Sequence, residues 1–323
     1  MIDSLFDRAS SILEKRFLRN AFLPVLLFPP VTLLPSLLQG GRLEALVAAW
    51  SAQSLGLQVI ETLGFFALSW FGASVLASQW RNIVRLFEGY PWQRWHRIYG
   101  VGRKWHGARQ AELQYMSLYG PNIDAAVHLQ HRIYPEDPSH VLATRLGNVL
   151  RAAEAYPIQR YGAGLVTLWP RLYHVLPREI QNDVENARAT MEFLLVLSLW
   201  FCGFGVMNPF IAWFLDTSMP LALGLLGVSL FFAYCAYVSA IPAAIEYGQY
   251  LKSAFEVYRF ALLKRLRLRQ PTSMADEKKQ WADLQRLILE NLFLDSDYEP
   301  DTEEIRLLVA GPDTPTKPGG GAR

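Results

Sequence analysis

The sequence predicts an all-α integral membrane protein with four transmembrane helices and a mainly helical central cytoplasmic domain. Three observations carry this prediction. Only 19% of the 323 residues are charged, while 51% are hydrophobic. The charges also leave long gaps. Residues 20–41 carry none, Glu61 is the single charge from Ala45 to Trp80, and Phe193–Leu215 and Thr217–Ile245 are uncharged. About 20 such residues in a helix cover the roughly 30 Å hydrocarbon core of a bilayer. Finally, four helices this apolar would leave a soluble chain of this length too little polar surface to cover them.

The spans fall at about 20–40, 54–79, 192–215 and 219–242. The first reads "AFLPVLLFPPVTLLPSLLQ", with Pro24, Pro29, Pro30 and Pro35. Each proline removes a backbone donor and favours a kink. Lipid tolerates that only where neighbouring groups satisfy the backbone, so the segment is either a kinked spanning helix or a re-entrant element. The second span contains Glu61. A carboxylate in hydrocarbon normally faces a bundle interior, a cavity or a partner, although Glu61 also fits a position near the headgroups. The third and fourth spans carry Gly203, Gly205, Gly224 and Gly227, which suit close helix contact. Asn208-Pro209 suits a local break with free carbonyls. Glu192, at the start of the third span, reads as interfacial. Cys202 and Cys235 lie within apolar spans and read as small hydrophobes.

Basic residues orient the spans. Lys15, Arg16 and Arg19 precede the first, and Arg81, Arg85, Arg94 and Arg97 follow the second. Lys252, Arg259 and Lys264 follow the fourth, whereas the 41–53 connection holds only Arg42 and the 216–218 turn holds no basic residue. With four spans, every strongly basic flank lies on one side, which makes both termini and residues 81–189 cytoplasmic.

The chain accordingly divides into an N-terminal cytoplasmic segment with spans one and two (1–80), a cytoplasmic domain (81–189) and spans three and four (190–245). Juxtamembrane and amphipathic helices (246–294) follow, then an acidic linker and disordered tail (295–323). Within 81–189, "QWRNIVRLFEGYPWQRWHRIYGVGRKWHGARQAELQ" alternates arginines with aromatic residues. That texture can bind nucleic acid. Directly beside a span, anionic lipid headgroups attract the same chemistry, and tryptophan and tyrosine prefer the membrane interface. A lipid bilayer with anionic headgroups is therefore the expected partner, and nucleic acid is not. Residues 276–293 place Trp281, Leu284, Leu287, Ile288 and Leu292 near one helix face, able to dock on the domain or on another subunit.

No catalytic, cofactor or metal constellation emerges. All six histidines lie in 81–189. Asp124, His128 and His131 would share a helix face, but no HExxH arrangement or cysteine accompanies them, so ordinary surface or core histidines are expected. No Walker lysine or nucleophile-elbow serine is present. In "ATRLGNVLRAAEAYP", Leu146, Val149, Leu150 and Ala153 form one helix face, Arg151 and Glu154 form the other, and Pro157 ends the helix. Glu154, Arg160 and Arg171 are candidates for anion binding or intradomain ion pairs.

The stretch "LGNVLRAAEAYPIQRYG…LWPRLYHVLP", with the later "EYGQYLKSAFEVYRFALLKRLRL", resembles a widespread group of uncharacterised bacterial multi-spanning membrane proteins. The resemblance rests on Tyr156, Pro157, Arg160, Tyr161, Gly162, Trp169, Pro170 and Arg171, then on Tyr258, Arg259 and Phe260. It covers about a third of the chain and implies a multi-pass protein of the bacterial cytoplasmic membrane, with no mechanism attached.

The functional expectation is an oligomeric channel or pore, with Glu61 and Asn208 as its pore-lining or buried polar groups, assembled as a homo-oligomer. The alternative is a non-conducting membrane scaffold or anchor whose cytoplasmic domain recruits a protein partner. Enzymatic activity ranks third.

Overall fold

A computed structural model describes residues 16–291, which contain eleven α-helices and no strand. Segments Leu18–Leu37, Leu55–Ser78, Arg178–Phe214 and Met219–Arg265 are long and apolar enough to cross a membrane. They coincide with the four expected spans, and the chain is a multi-pass membrane protein. The acidic linker and tail expected at 295–323 lie outside the described residues.

The first span opens with a π-helical turn, Leu18–Phe22, that continues into α1, Leu23–Leu37. Pro29, Pro30 and Pro35 all lie inside α1, yet the segment stays helical for 20 residues and makes no re-entrant turn. Side-chain donors reinforce the backbone around the prolines. Thr32 donates to the Phe28 carbonyl at 2.6 Å, Gln39 to that of Pro35 at 2.9 Å, and the Trp200 indole to that of Pro24 at 3.1 Å. Gly40 and Gly41, both at positive φ, reverse the chain into α2 (Arg42–Ser51). The second span is α3 (Leu55–Ser78), followed by α4 (Trp80–Glu88), α5 (His96–Tyr119) and α6 (Ile123–Ile133). Then come α7 (Arg145–Tyr161), α8 (Leu165–Tyr173), α9 (Arg178–Phe214), α10 (Met219–Arg265) and α11 (Met274–Glu290).

Small residues let α9 and α10 approach closely, as apolar side chains gain little by associating in lipid. Ala222, Ser229, Ala233, Ala236, Ala240 and Ala244 are all buried along α10. Ser198 donates to the Ala233 carbonyl at 2.9 Å across the pair. A methyl group on Gly205 would overlap the Ser229 hydroxyl, and one on Gly203 would press on the Phe28 ring at 3.3 Å. Gly224 and Gly227 instead face open space, so they are not contact glycines. The uncharged stretch alone does not reveal which face of α10 meets its neighbour.

The helices form two compact units. The first holds the described residues through Glu154 together with Glu179–Leu251. Its core joins Ile83, Leu113, Ile133, Leu146, Leu150, Leu195 and Ile241, so residues of 81–154 share one core with the ends of the spans. The second unit comprises Ala155–Arg178 and the described residues from Lys252 onward, with Leu168, Leu172, Phe255, Leu262, Leu263 and Trp281 buried. α7 and α10 each run uninterrupted across a unit boundary. The fourth span continues as one helix beyond the apolar stretch, to Arg265.

One helix end differs from the sequence reading. Pro157 does not stop α7, which runs a further turn to Tyr161. The stop is Gly162, at φ +75°, whose amide still donates to the Ile158 carbonyl at 3.0 Å. Proline near a helix end sacrifices one hydrogen bond, whereas the left-handed residue redirects the chain. A side chain on Gly162 would also meet the Lys278 carbonyl at 2.9 Å, so glycine is required there twice over.

Candidate functional site

In the first unit a charged cluster gathers at the beginning of the third span. Glu185, Arg188 and Glu192 recur at helical spacing on α9 and share a face. Glu192 is only 1% exposed. One of its oxygens accepts from Arg188 Nε at 2.9 Å, and the other pairs with the Arg16 guanidinium. Arg16 also reaches Glu185 at 2.9 Å. One turn on, the fully buried Asn20 donates to the Ala189 carbonyl at 2.9 Å and accepts from Arg19 Nε at 2.9 Å. The result is a polar clasp between the first and third spans. Burial of a carboxylate is tolerable only with this degree of pairing. Glu192, which reads from sequence as interfacial, is the buried centre of the clasp. Its partner Arg16 lies 176 positions away, so no local signal joins them.

Glu88, at the end of α4, is nearly buried, with 9% exposure. Burial, then the charge of Glu154, pushes its carboxyl up to about 7, against the opposing pull of Arg85 and Arg151. Glu154 is itself pushed up by burial and held partly down by Arg151, at 3.6 Å. A free glutamate titrates at 4.5, so between that value and about 7 the folded chain holds the Glu88 proton more tightly than the unfolded chain. Its contribution to stability is therefore greatest below about pH 4.5, falls as pH rises through about 7, and is constant above. Glu88→Gln is expected to match the native chain at pH 4 and to be more stable at pH 8 by about 3 kcal/mol. Thermal unfolding in detergent at the two pH values checks this.

Between α5 and α6, His106 Nδ1 lies 3.0 Å from the Tyr134 hydroxyl, and Gln110 donates to the Pro135 carbonyl at 2.6 Å. Burial, aided by the charge of Arg145, pushes the His106 imidazole down to about 4, so it is neutral at physiological pH. It acts as a packing group.

The second unit explains the tyrosines of the Tyr-Pro–Arg-Tyr-Gly stretch. The Tyr156 and Tyr161 hydroxyls both donate to Glu256 Oε1, the latter at 3.3 Å. Burial, then the Glu256 bond, raises Tyr156 to about 12. The Arg259 guanidinium lies 4.5 Å from the Tyr161 ring centre and 4.2 Å from that of Phe260, and its Nε reaches Glu277 at 2.7 Å. Glu277 also accepts from the Trp281 indole at 3.2 Å. Around Gly162 the Gly164 amide donates to Gln285 at 2.9 Å, which fixes α11. Both carboxylates, Glu256 and Glu277, are occupied by their neighbours, an arrangement that holds helices in place.

The five residues singled out from sequence do not form one site. Glu61 is exposed on α3 and accepts from Gln53 at 3.3 Å. Asn208 is buried but donates to the Phe204 carbonyl of its own helix at 2.8 Å, and α9 passes through Pro209 unbroken. Glu154 forms its intradomain pair with Arg151. Arg160 lies 5.9 Å from the Tyr156 ring centre, and the exposed Arg171 donates to the Thr167 carbonyl at 3.1 Å. Among the described residues no three histidine, cysteine or carboxylate side chains converge as a metal site. No family model matches the chain, and no curated protein or solved structure matches it.

Proposed function

We propose that the chain is a membrane-embedded scaffold of the bacterial cytoplasmic membrane, with both termini and the α4–α8 region on the cytoplasmic side. The orientation follows from the basic flanks of the spans. One observation carries the scaffold reading. Within the four spans, no buried side-chain polar atom among the described residues lacks a hydrogen bond. Ser198 and Asn208 bond backbone carbonyls, Ser36 contacts the Thr217 hydroxyl at 3.3 Å, and Glu192 is closed off by arginines. The polar side chains buried between the spans are thus spent on holding the helices together, as a scaffold requires. The cytoplasmic helices, with exposed Arg160, Val166 and Arg171 in the second unit, are the surface on which a protein partner would assemble.

A second reading, a pore shared between copies around α3, has its own support. The α3 span is the least buried of the four, with Leu55, Ile60, Leu63, Leu68 and Phe71 exposed beside Glu61. Reconstitution into liposomes separates the two. The scaffold is expected to add no chloride or potassium flux over protein-free vesicles. Flux that depends on the protein and is lost in Glu61→Gln would move the conclusion to the pore.

A further inference from the structure

A half-open cleft of about 490 Å³ lies between α5 and α6, within the size range of small-molecule sites. Trp105, Leu113, Leu129, Ile133 and Tyr134 form its apolar wall. Its charged groups are Arg109, Glu112 and Arg145. Arg109 and Glu112 neutralise each other at 2.5 Å. Arg145 is exposed, and no carboxylate among the described residues lies within ion-pair distance of it. The cleft therefore combines a hydrophobic wall with one uncompensated guanidinium, which suits an anion carrying an apolar body.

The height of the cleft along the spans indicates where that anion comes from. The Leu146 amide donates to the Tyr237 hydroxyl at 3.4 Å, and the Phe87 ring stacks on Tyr237 with centres 5.9 Å apart. Tyr237 stands about 27 Å along α10 from Met219, close to the end of a roughly 30 Å hydrocarbon core. Arg145 is the neighbour of Leu146 in the chain. Gly102 of α5 sits against Ala143, so closely that a methyl group on it would come 2.7 Å from the Ala143 carbonyl. The cleft is thus at headgroup level. Trp95, Ile98 and Val101 of the same region are exposed, interspersed with exposed Arg94, Arg97 and Lys104, a composition matched to an anionic leaflet.

We propose that this cleft binds the headgroup of one anionic phospholipid of the cytoplasmic leaflet. Arg145 takes the phosphate, while Trp105, Leu129 and Ile133 contact the glycerol and upper acyl carbons. The arginine fork matches phosphate oxygens in pairs. Such a lipid would pin the α5–α6 hairpin to the membrane surface. This inference depends on the four-span topology and is independent of whether the protein conducts.

The test uses the full chain in a neutral detergent, titrated with dihexanoyl phosphatidylglycerol, dihexanoyl phosphatidylcholine or inorganic phosphate. Saturable binding is expected for the phosphatidylglycerol alone. Arg145→Gln should weaken it at least tenfold, as should Leu129→Trp, which fills the cleft without altering charge. If Arg145→Gln does not fold, Leu129→Trp decides the matter. Undiminished phosphatidylglycerol binding in Leu129→Trp, or in a folded Arg145→Gln, overturns the proposal. Equal binding of phosphatidylcholine overturns the requirement for charge, and equal binding of inorganic phosphate overturns a lipid ligand in favour of a soluble anion.

Discussion

Glu192→Ala is expected to destabilise the chain by about 3–5 kcal/mol, the cost typical of removing one partner from a buried ion pair. The substitution takes the buried carboxylate from both Arg16 and Arg188, leaving Arg16 only its bond to Glu185. Arg188 is 41% exposed and can swing towards water, whereas Arg16 is only 20% exposed. Its Nε is already buried without a hydrogen bond, so it bears the larger part of the penalty. Removing both charges in Arg16→Leu/Glu192→Leu should restore most of the loss, because the buried carboxylate and its least exposed partner go together, while Glu185 and Arg188 remain three residues apart on one face of α9. The two effects are therefore non-additive, and a double-mutant cycle on thermal unfolding in detergent measures the coupling directly. A Glu192→Ala protein that melts with the native chain would mean that the clasp does not join the first and third spans. The cluster should also be insensitive to salt relative to the exposed Arg109–Glu112 pair, since buried pairs are screened far less.

The four spans are legible in sequence because the signal is local: each is a charge gap long enough to cross a bilayer. The amphipathic character of α11 is legible for the same reason, with Trp281 and Leu284 buried as their spacing predicts. Groups that meet across long separations are not legible in this way. Tyr156 and Tyr161 stand out in the sequence, but Glu256, which accepts from both, lies 100 and 95 positions further on. Arg160 is equally prominent in the sequence and is only stacked beside Tyr156. Glycines mislead for a related reason. All four in the last two spans permit close approach, but only Gly203 and Gly205 face another helix, and that depends on the rotation of each helix about its axis. Pro157 shows that a residue that stops helices on average can sit inside the last turn, when a glycine at 162 redirects the chain just beyond it.

Trp281→Ala is the second large effect, expected to cost about 3–5 kcal/mol as a fully buried aromatic is lost. Trp281 has no exposed surface, and its ring lies 5.7 Å from that of Phe255, centre to centre. Truncation opens a cavity there and removes one of the donors to Glu277, leaving that carboxylate to Arg259 alone. Trp281→Phe keeps most of the volume and loses only the indole N–H, so about 1–3 kcal/mol is expected from the under-satisfied carboxylate. The two variants thus separate packing from hydrogen bonding. Because Trp281 is the fully buried side chain of α11, the alanine variant should loosen the helix before the spans unfold, with Arg259–Glu277 and the Gly164–Gln285 bond left to hold it. Limited proteolysis reads this as faster cleavage in the 266–273 connection at temperatures where the membrane helices remain intact. Unchanged cleavage in Trp281→Ala would mean that α11 is seated by its polar links, Arg259–Glu277 and Gly164–Gln285, and not by its buried face.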